Sequence, residues 1–464
     1  MSATTDPVDR LFAQALADLQ AGRHAAAASA LRQALALAPE IPELHANLAL
    51  TLEQQGDLAA AASAYQQALI LAPTAVQIHV NHGVLLARQK RFSAAEQAYQ
   101  QALQLDPDHP GAWTNLGVLY ASLHQDAAAE ECHRQALAIA PDHRSAQFNL
   151  AYLLLRQGRW REGWTYLEAR DSKDWMYRDF NCRPWQGEAL AGKRILIGAE
   201  AGYGDMLHFA RYAQVLKEAG AAHVGIVAYP GLERLFASLK GADQVLAWGS
   251  QFVASDWDFW IAPLSLPRWF ATTPQQLPAT VGYLSATAED QARWAARLPP
   301  ARGYRVGLVW CGNPNFANDQ ERSLPLPELL AAIRDLPACE FFALQPGALS
   351  EALPDWVQPL GTELGDFADS AGLLMHLDLL ISVDTAFAHL AGALGRPCHL
   401  LLPAYQTDWR WLQSGDTSPW YPGSLRLFRQ KQRGDWPPVL AELRQSLRDL
   451  LARKQPAVTV DAGN

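Results

Sequence analysis

Two short stretches combine a turn, a helix start and side chains able to move protons or hold anions. The first is G-Y-G-D at 202–205. Gly202 and Gly204 permit a tight turn with exposed amides, and Asp205 falls at the cap of the helix that follows. The second is D-T-A-F-A-H at 384–389, behind residues 377–383, which read as a buried strand. Thr385 and the amides of Ala386 and Phe387 then stand at a helix amino end, where unused N–H groups and the helix dipole attract an anion. His389 lies four residues beyond Thr385 on the same helical face and can reach that anion. A carboxylate beside phosphate is unfavourable, so Asp384 is expected to orient His389 or contact a hydroxyl. Plain structural roles stand beside these: Asp205 and Asp384-Thr385 as caps, His389 as a core residue.

The elements that position them alternate between strand and helix. Strand-like runs at 194–197, 224–228, 244–247 and 259–261 form one series, and 305–310, 341–344, 377–383 and 399–402 a second. The helix from Ala386 stops at Gly395, with Pro397 just beyond. Alternation of this kind gives parallel sheets covered by helices, with a crevice at the carboxyl ends of the strands.

The first third of the chain has a different period. Pro39, Pro73, Pro107 and Pro141 recur every 34 residues, each closing a variant of Q-A-L-x-L-x-P, which is the tetratricopeptide interval. Ala27, Ala61, Ala95 and Ala129 recur in phase, as do Ala34, Ala68, Ala102 and Ala136, and let paired helices pack closely. Gly22, Gly56 and Gly158 fall in the turns between helices. Repeats are expected near 8–41, 42–75, 76–109 and 110–143, with a fifth over 144–170 closing the array. Asn47, Asn81, Asn115 and Asn149 form a further in-phase series at mid-helix, where asparagine is an indifferent helix former. An amide ladder on the concave face could hold a peptide backbone; the alternative is hydrogen bonding between repeats. His45, His79 and His82 are expected to line the groove or join repeats rather than bind metal.

With its asparagine ladder, the array resembles that of the protein O-linked N-acetylglucosamine transferases, in which such a ladder holds the substrate polypeptide. Residues 194 to about 436 resemble bacterial glycosyltransferases of the heptosyltransferase type, family 9, and more closely their tetratricopeptide-fused members. The match rests on G-Y-G-D at 202–205, W-C-G-N-P at 310–314, R-S at 322–323, L-Q-P-G at 344–347, Asp384, Thr385 and His389, D-W-R-W at 408–411 and S-P-W-Y-P at 418–422. The resemblance implies a GT-B module of two Rossmann-like domains, inversion at the anomeric centre and no metal or other cofactor. It makes Asp205 the catalytic base, with Glu200 in reserve, and it points to His389 as a further catalytic group. Arg322 becomes a cation for the leaving diphosphate, unless it is a solvated loop residue. Asn313 and Gln345 become weaker donor contacts beside Gly202, Gly204, Asp384, Thr385, Ala386 and Phe387. The W-R-W at 409–411 either packs over the cleft or serves the core. Asp256-Trp257-Asp258 imitates a metal-binding D-x-D but precedes a strand in the wrong half, so no metal is assigned there.

The expected fold class is therefore α + α/β: a tetratricopeptide α-solenoid over 1–170, a connector over 171–193, an acceptor-side domain over 194–300, a nucleotide-sugar domain over 301–454 and a disordered tail over 455–464. The expected function is transfer of a sugar from a nucleotide-sugar, by resemblance a UDP-sugar, to Ser or Thr of a surface or flagellar protein held by the repeats. Alternatives are a glycan or lipid-linked acceptor with the repeats as a docking module, and a non-catalytic repeat scaffold. A net charge of −9 without a Lys/Arg-rich stretch argues against nucleic acid. Five scattered cysteines without a C-x-x-C pair read as reduced thiols. Residues 1–10 lack the pattern of an export signal, and residues 373–383 fall short of a membrane span, so a cytoplasmic location is expected.

Overall fold

The computed structural model describes residues 6–250, 256–278, 281–316, 319–347 and 352–454, so the expected tail over 455–464 lies outside the described residues. The chain forms two units, Met1–Leu153 and Leu154–Asn464.

The first unit is a run of antiparallel helix pairs beginning Pro7–Gln20 and His24–Leu37, then Pro42–Gln54 and Leu58–Leu71, Val76–Arg88 and Phe92–Leu105, and Pro110–Ser122 and Asp126–Ile139. Proline at the first helical position of three of them costs no hydrogen bond, because that N–H has no partner within the helix anyway. Close packing within a pair depends on a small residue facing a ring. A Cβ on Gly83 would come 2.5 Å from Tyr99, and one on Gly117 would come 2.6 Å from His133. The turn between helices needs a left-handed residue at Gly22, Gly56, Lys90, His124 and Gly158, so two of the five positions adopt it without glycine.

A second regularity joins successive repeats. His45 Nε2 lies 2.8 Å from the carbonyl of Pro39, and His79 Nε2 2.8 Å from that of Pro73. Trp113 donates to Pro107 at 2.8 Å and Gln147 to Pro141 at 2.7 Å. Three residue types thus perform one task, satisfying the carbonyl of the proline that closes the preceding repeat. His45 and His79 are joints between repeats, as one of the two expected roles had it, while His82 packs near the ring of Tyr65.

In the second unit the helix Trp160–Leu167 buries Trp160 and Trp164 against Trp409 and Trp420, so the second helix of the fifth repeat belongs to this unit rather than to the array. Two all-parallel sheets follow. The first contains β1 (Arg183–Pro184), β2 (Arg194–Ile197), β3 (His223–Ala228), β4 (Gln244–Ala247) and β5 (Phe259–Ile261), in the order β1-β5-β2-β3-β4. The second contains β6 (Tyr304–Val309), β7 (Cys339–Ala343), β8 (Val357–Pro359), β9 (Leu379–Val383), β10 (Cys398–Leu402) and β11 (Leu425–Arg429). Its order, β11-β10-β9-β6-β7-β8, is that of the doubly wound dinucleotide-binding sheet. In each sheet the winding reverses once, between β2 and β5 and between β6 and β9, and ligands favour the crevice beyond the strand ends at such points. The loops leaving β2, β6 and β9 carry G-Y-G-D, C-G-N-P and Asp384-Thr385.

Candidate functional site

The helix Tyr203–Phe209 of the first sheet domain packs directly on the helix Ala386–Leu394 of the second. Gly204 makes that approach possible: a Cβ there would lie 2.9 Å from His389 Cδ2 and 3.8 Å from the Ala386 Cα. The positive backbone angle of this turn falls on Ala201, so Gly204 serves closeness rather than conformation.

Asp205 closes the turn at its own helix start and also reaches the opposite domain. One carboxylate oxygen accepts the Gly202 N–H at 2.9 Å, which bends the turn back onto the helix and occupies an amide expected to be exposed. The other pairs with the guanidinium of Arg410 from the opposite domain. Burial pushes the Asp205 carboxyl up, against the pull of Arg410 and the Gly202 amide.

Across the crevice, Thr385 precedes the helix Ala386–Leu394 without capping it. Its hydroxyl lies 3.0 Å from that of Ser382, and among the described residues no side chain accepts from the helix start. The amides of Ala386 and Phe387 are therefore left for an external acceptor, as an anion site requires. Arg322 completes the edge. It is held by Asp319 at 2.9 Å and donates to the Asp384 carbonyl at 2.9 Å, so it is anchored beside the helix start instead of being solvated. Gln345 accepts the Cys311 amide at 3.2 Å, tying together the loops after β7 and β6. Asn313 is exposed and closes its own turn by accepting from Asn315 at 3.0 Å.

Three expectations need correction. Glu200 cannot be the base: it is fully buried and bound by Arg170, by Ser172 at 2.6 Å and by the Leu264 amide at 3.3 Å. His389 takes its orientation from the Tyr421 hydroxyl at 3.0 Å, not from Asp384. That hydroxyl also lies 3.2 Å from His208 Nδ1, and burial with the charges of Arg410 and Arg211 holds both imidazoles well below their usual range, hence neutral. Finally, the W-R-W segment is both core and cleft: Trp409 packs on Trp164, Trp411 stacks on His389 at 5.1 Å, and Arg410 reaches Asp205. Arg410, His208 and Tyr421 were not singled out by spacing, although His208 lies one helical turn beyond Asp205.

Asp384 answers the objection to a carboxylate beside phosphate. Burial, and then the like charge of Asp408, push it up to about 7 against Arg322 and Arg410. Because the folded value is raised, its protonated form contributes stability below the ordinary carboxylate range, and that stability is lost as pH rises through about 7. Asp384→Asn is therefore expected to be the more stable chain at about pH 8.5, by roughly 2–4 kcal/mol, with the gap closing towards about pH 4. Urea denaturation at the two pH values checks this, and an equal difference at both would contradict the assignment.

The four asparagines are half-exposed, and none joins two repeats among the described residues. Asn47 donates to Glu43 of its own helix at 2.8 Å, and Asn81 accepts from Gln77 of its own helix at 2.8 Å. The alternative of amides consumed between repeats is not what the structure holds. In Asp256-Trp257-Asp258, Asp258 is spent on Lys193 at 3.0 Å and the Arg194 amide at 2.8 Å.

A helical repeat array followed by two parallel α/β sheets is the class that these observations define. Residues 12–76 match the tetratricopeptide repeat family, and residues 45–128 match the middle TPR-like domain of cilia and flagella-associated protein 70. The array is thus one of tetratricopeptide repeats. Protein FlbA of Caulobacter vibrioides is 30% identical over 330 residues, 65% of this chain and 54% of that protein. The chain therefore spans about half the length of this curated relative. The share matched exceeds what Met1–Leu153 can supply, so the similarity continues into the α/β unit. Among solved structures, pilF of Pseudomonas aeruginosa is 26% identical with a TM-score of 0.33, over 35% of this chain and 75% of that one. A thermophilic TPR protein of Thermus thermophilus is 24% identical with a TM-score of 0.33, over 37% and 95%. No helix among the described residues is long and apolar enough to cross a membrane.

Proposed function

We propose that the chain is an inverting GT-B glycosyltransferase that moves a sugar from a nucleotide-sugar to Ser or Thr of a protein bound by the tetratricopeptide array. The observation that carries this is the uncapped start of the helix Ala386–Leu394, placed at a sheet switch point with Arg322 beside it and Asp205 on the facing domain. Amides and guanidinium suit a diphosphate leaving group, and the carboxylate suits a hydroxyl proton. The asparagine ladder supplies peptide contacts independent of acceptor sequence, because amides pair with backbone rather than side chains.

The first test is thermal: at least one of UDP-, GDP-, ADP- and CMP-sugars should raise the melting temperature, and a flat response to all four removes the proposal. The second concerns the ladder. Asn81→Ala with Asn115→Ala should lower protein glycosylation roughly 5–30-fold, the worth of two lost hydrogen bonds, while donor hydrolysis persists. Equal loss of both activities would point to a glycan or lipid-linked acceptor. A non-catalytic scaffold is the second reading, favoured by the family matches falling within residues 12–128.

A further inference from the structure

Arg410 is 4% exposed, lies on the short turn Trp409–Trp411, and is clasped from two sides. Its Nη1 binds both oxygens of Asp408 at 3.0 Å, and its Nη2 binds Asp205 across the crevice. The guanidinium carbon lies 4.3 Å from the centre of the Trp409 ring and 5.3 Å from that of Phe209, contacts that a planar guanidinium favours. An ion-paired carboxylate is a poor base, since its charge is already neutralised. Yet Asp205 is the carboxylate facing the uncapped helix start.

We propose that Arg410 couples donor occupancy to the reactivity of Asp205: a bound diphosphate draws the guanidinium off Asp205 and leaves that carboxylate free for the acceptor hydroxyl. This rests on the transferase reading above. Arg410 is then a positioning residue in the empty site and a contact of the leaving group in the filled one. In the transfer itself the hydroxyl oxygen bonds to the anomeric carbon, the bond from that carbon to the diphosphate oxygen breaks, the diphosphate keeps the electron pair, and the proton goes to Asp205. Among the described residues, Asp408 and Glu200 also act on Asp205, each raising its carboxyl. Arg410 in turn acts on Asp384, His208 and His389, which places its charge at the helix start. Arg322 remains tied to the Asp384 carbonyl, so the exchange falls to Arg410 alone of the two cations.

The exchange predicts opposite effects from its two partners. Inorganic pyrophosphate, UDP, GDP and ADP are titrated calorimetrically into the full chain and into variants. Asp205→Asn removes one of the two carboxylates that hold Arg410, leaving Asp408, and should tighten diphosphate binding about 3–10-fold, whereas Arg410→Gln should weaken it about tenfold or more. Arg410→Lys, which keeps charge without the fork, should fall between and covers the case in which the glutamine variant misfolds. A static tie between domains would weaken binding in both Asp205→Asn and Arg410→Lys, and that result overturns the proposal. Diphosphate binding to wild type with no change in any variant overturns it too, while leaving the transferase reading intact. No binding to wild type overturns both.

Discussion

Asp205→Asn is expected to lower sugar transfer about 10²–10⁴-fold, the usual worth of a general base, while leaving the fold in place. Folding should survive because the substituted side chain keeps an oxygen for the Gly202 amide, and Arg410 Nη1 keeps its bonds to both oxygens of Asp408. Loss of a partly exposed, partly neutralised carboxylate removes little packing. Turnover with a donor identified by thermal shift is measured beside the melting temperature of each variant. Transfer undiminished in a folded Asp205→Asn chain eliminates Asp205 as base. With the two imidazoles held by Tyr421 and Glu200 walled in, Asp384 and Asp408 would then be the carboxylates to test as base.

What spacing revealed, and what it did not, follows from where the partners lie in the chain. The array was legible because each repeat restates its neighbour, so Pro39 to Pro141 declare the period without reference to distant residues. Even there, Lys90 and His124 hid two left-handed turns, because glycine is favoured at such positions but not required. In the second unit the central strands were legible as apolar runs. Three edge elements were not: β1 is two residues long, β8 ends in proline, and β11 interleaves arginine with leucine and phenylalanine. Proline and charge are how sheet edges avoid further pairing, and they dilute the signal. The helix start after β9 was legible because capping and strand termination are local. The partners of its side chains were not. Tyr421 lies 32 residues beyond His389, and Arg410 lies 205 beyond Asp205. Glu200 illustrates the cost of that blindness, for a carboxylate near a glycine turn reads as catalytic until its neighbours are seen.

Those neighbours set the second large effect. Arg170 is almost wholly buried and divides its donors among Glu200, Glu168 at 3.1 Å, Ser265 at 2.8 Å and the Leu167 carbonyl at 3.1 Å. Lys173 binds Glu168 at 2.6 Å, so two cations face two carboxylates, with Arg170 and Glu200 buried and Glu168 part-exposed. Removing one charge from such a cluster strands its partner, and the penalty is dominated by desolvation rather than by the lost attraction. Glu200→Ala is therefore expected to destabilise the α/β unit by about 3–5 kcal/mol, towards the lower end because Glu168 still faces Arg170. Glu200→Gln, which keeps an acceptor for Ser172 and the Leu264 amide, should cost less, about 1–3 kcal/mol. Replacing both charges with apolar groups, Glu200→Leu with Arg170→Met, should recover much of the loss if volume is the only demand of the site. Denaturant melts followed by tryptophan fluorescence measure all three, and an alanine variant within about 1 kcal/mol of wild type would refute the buried cluster. The same chains separate the two carboxylates of the first loop. Transfer per folded molecule should persist in Glu200→Gln and vanish in Asp205→Asn, because one residue builds the domain that the other uses.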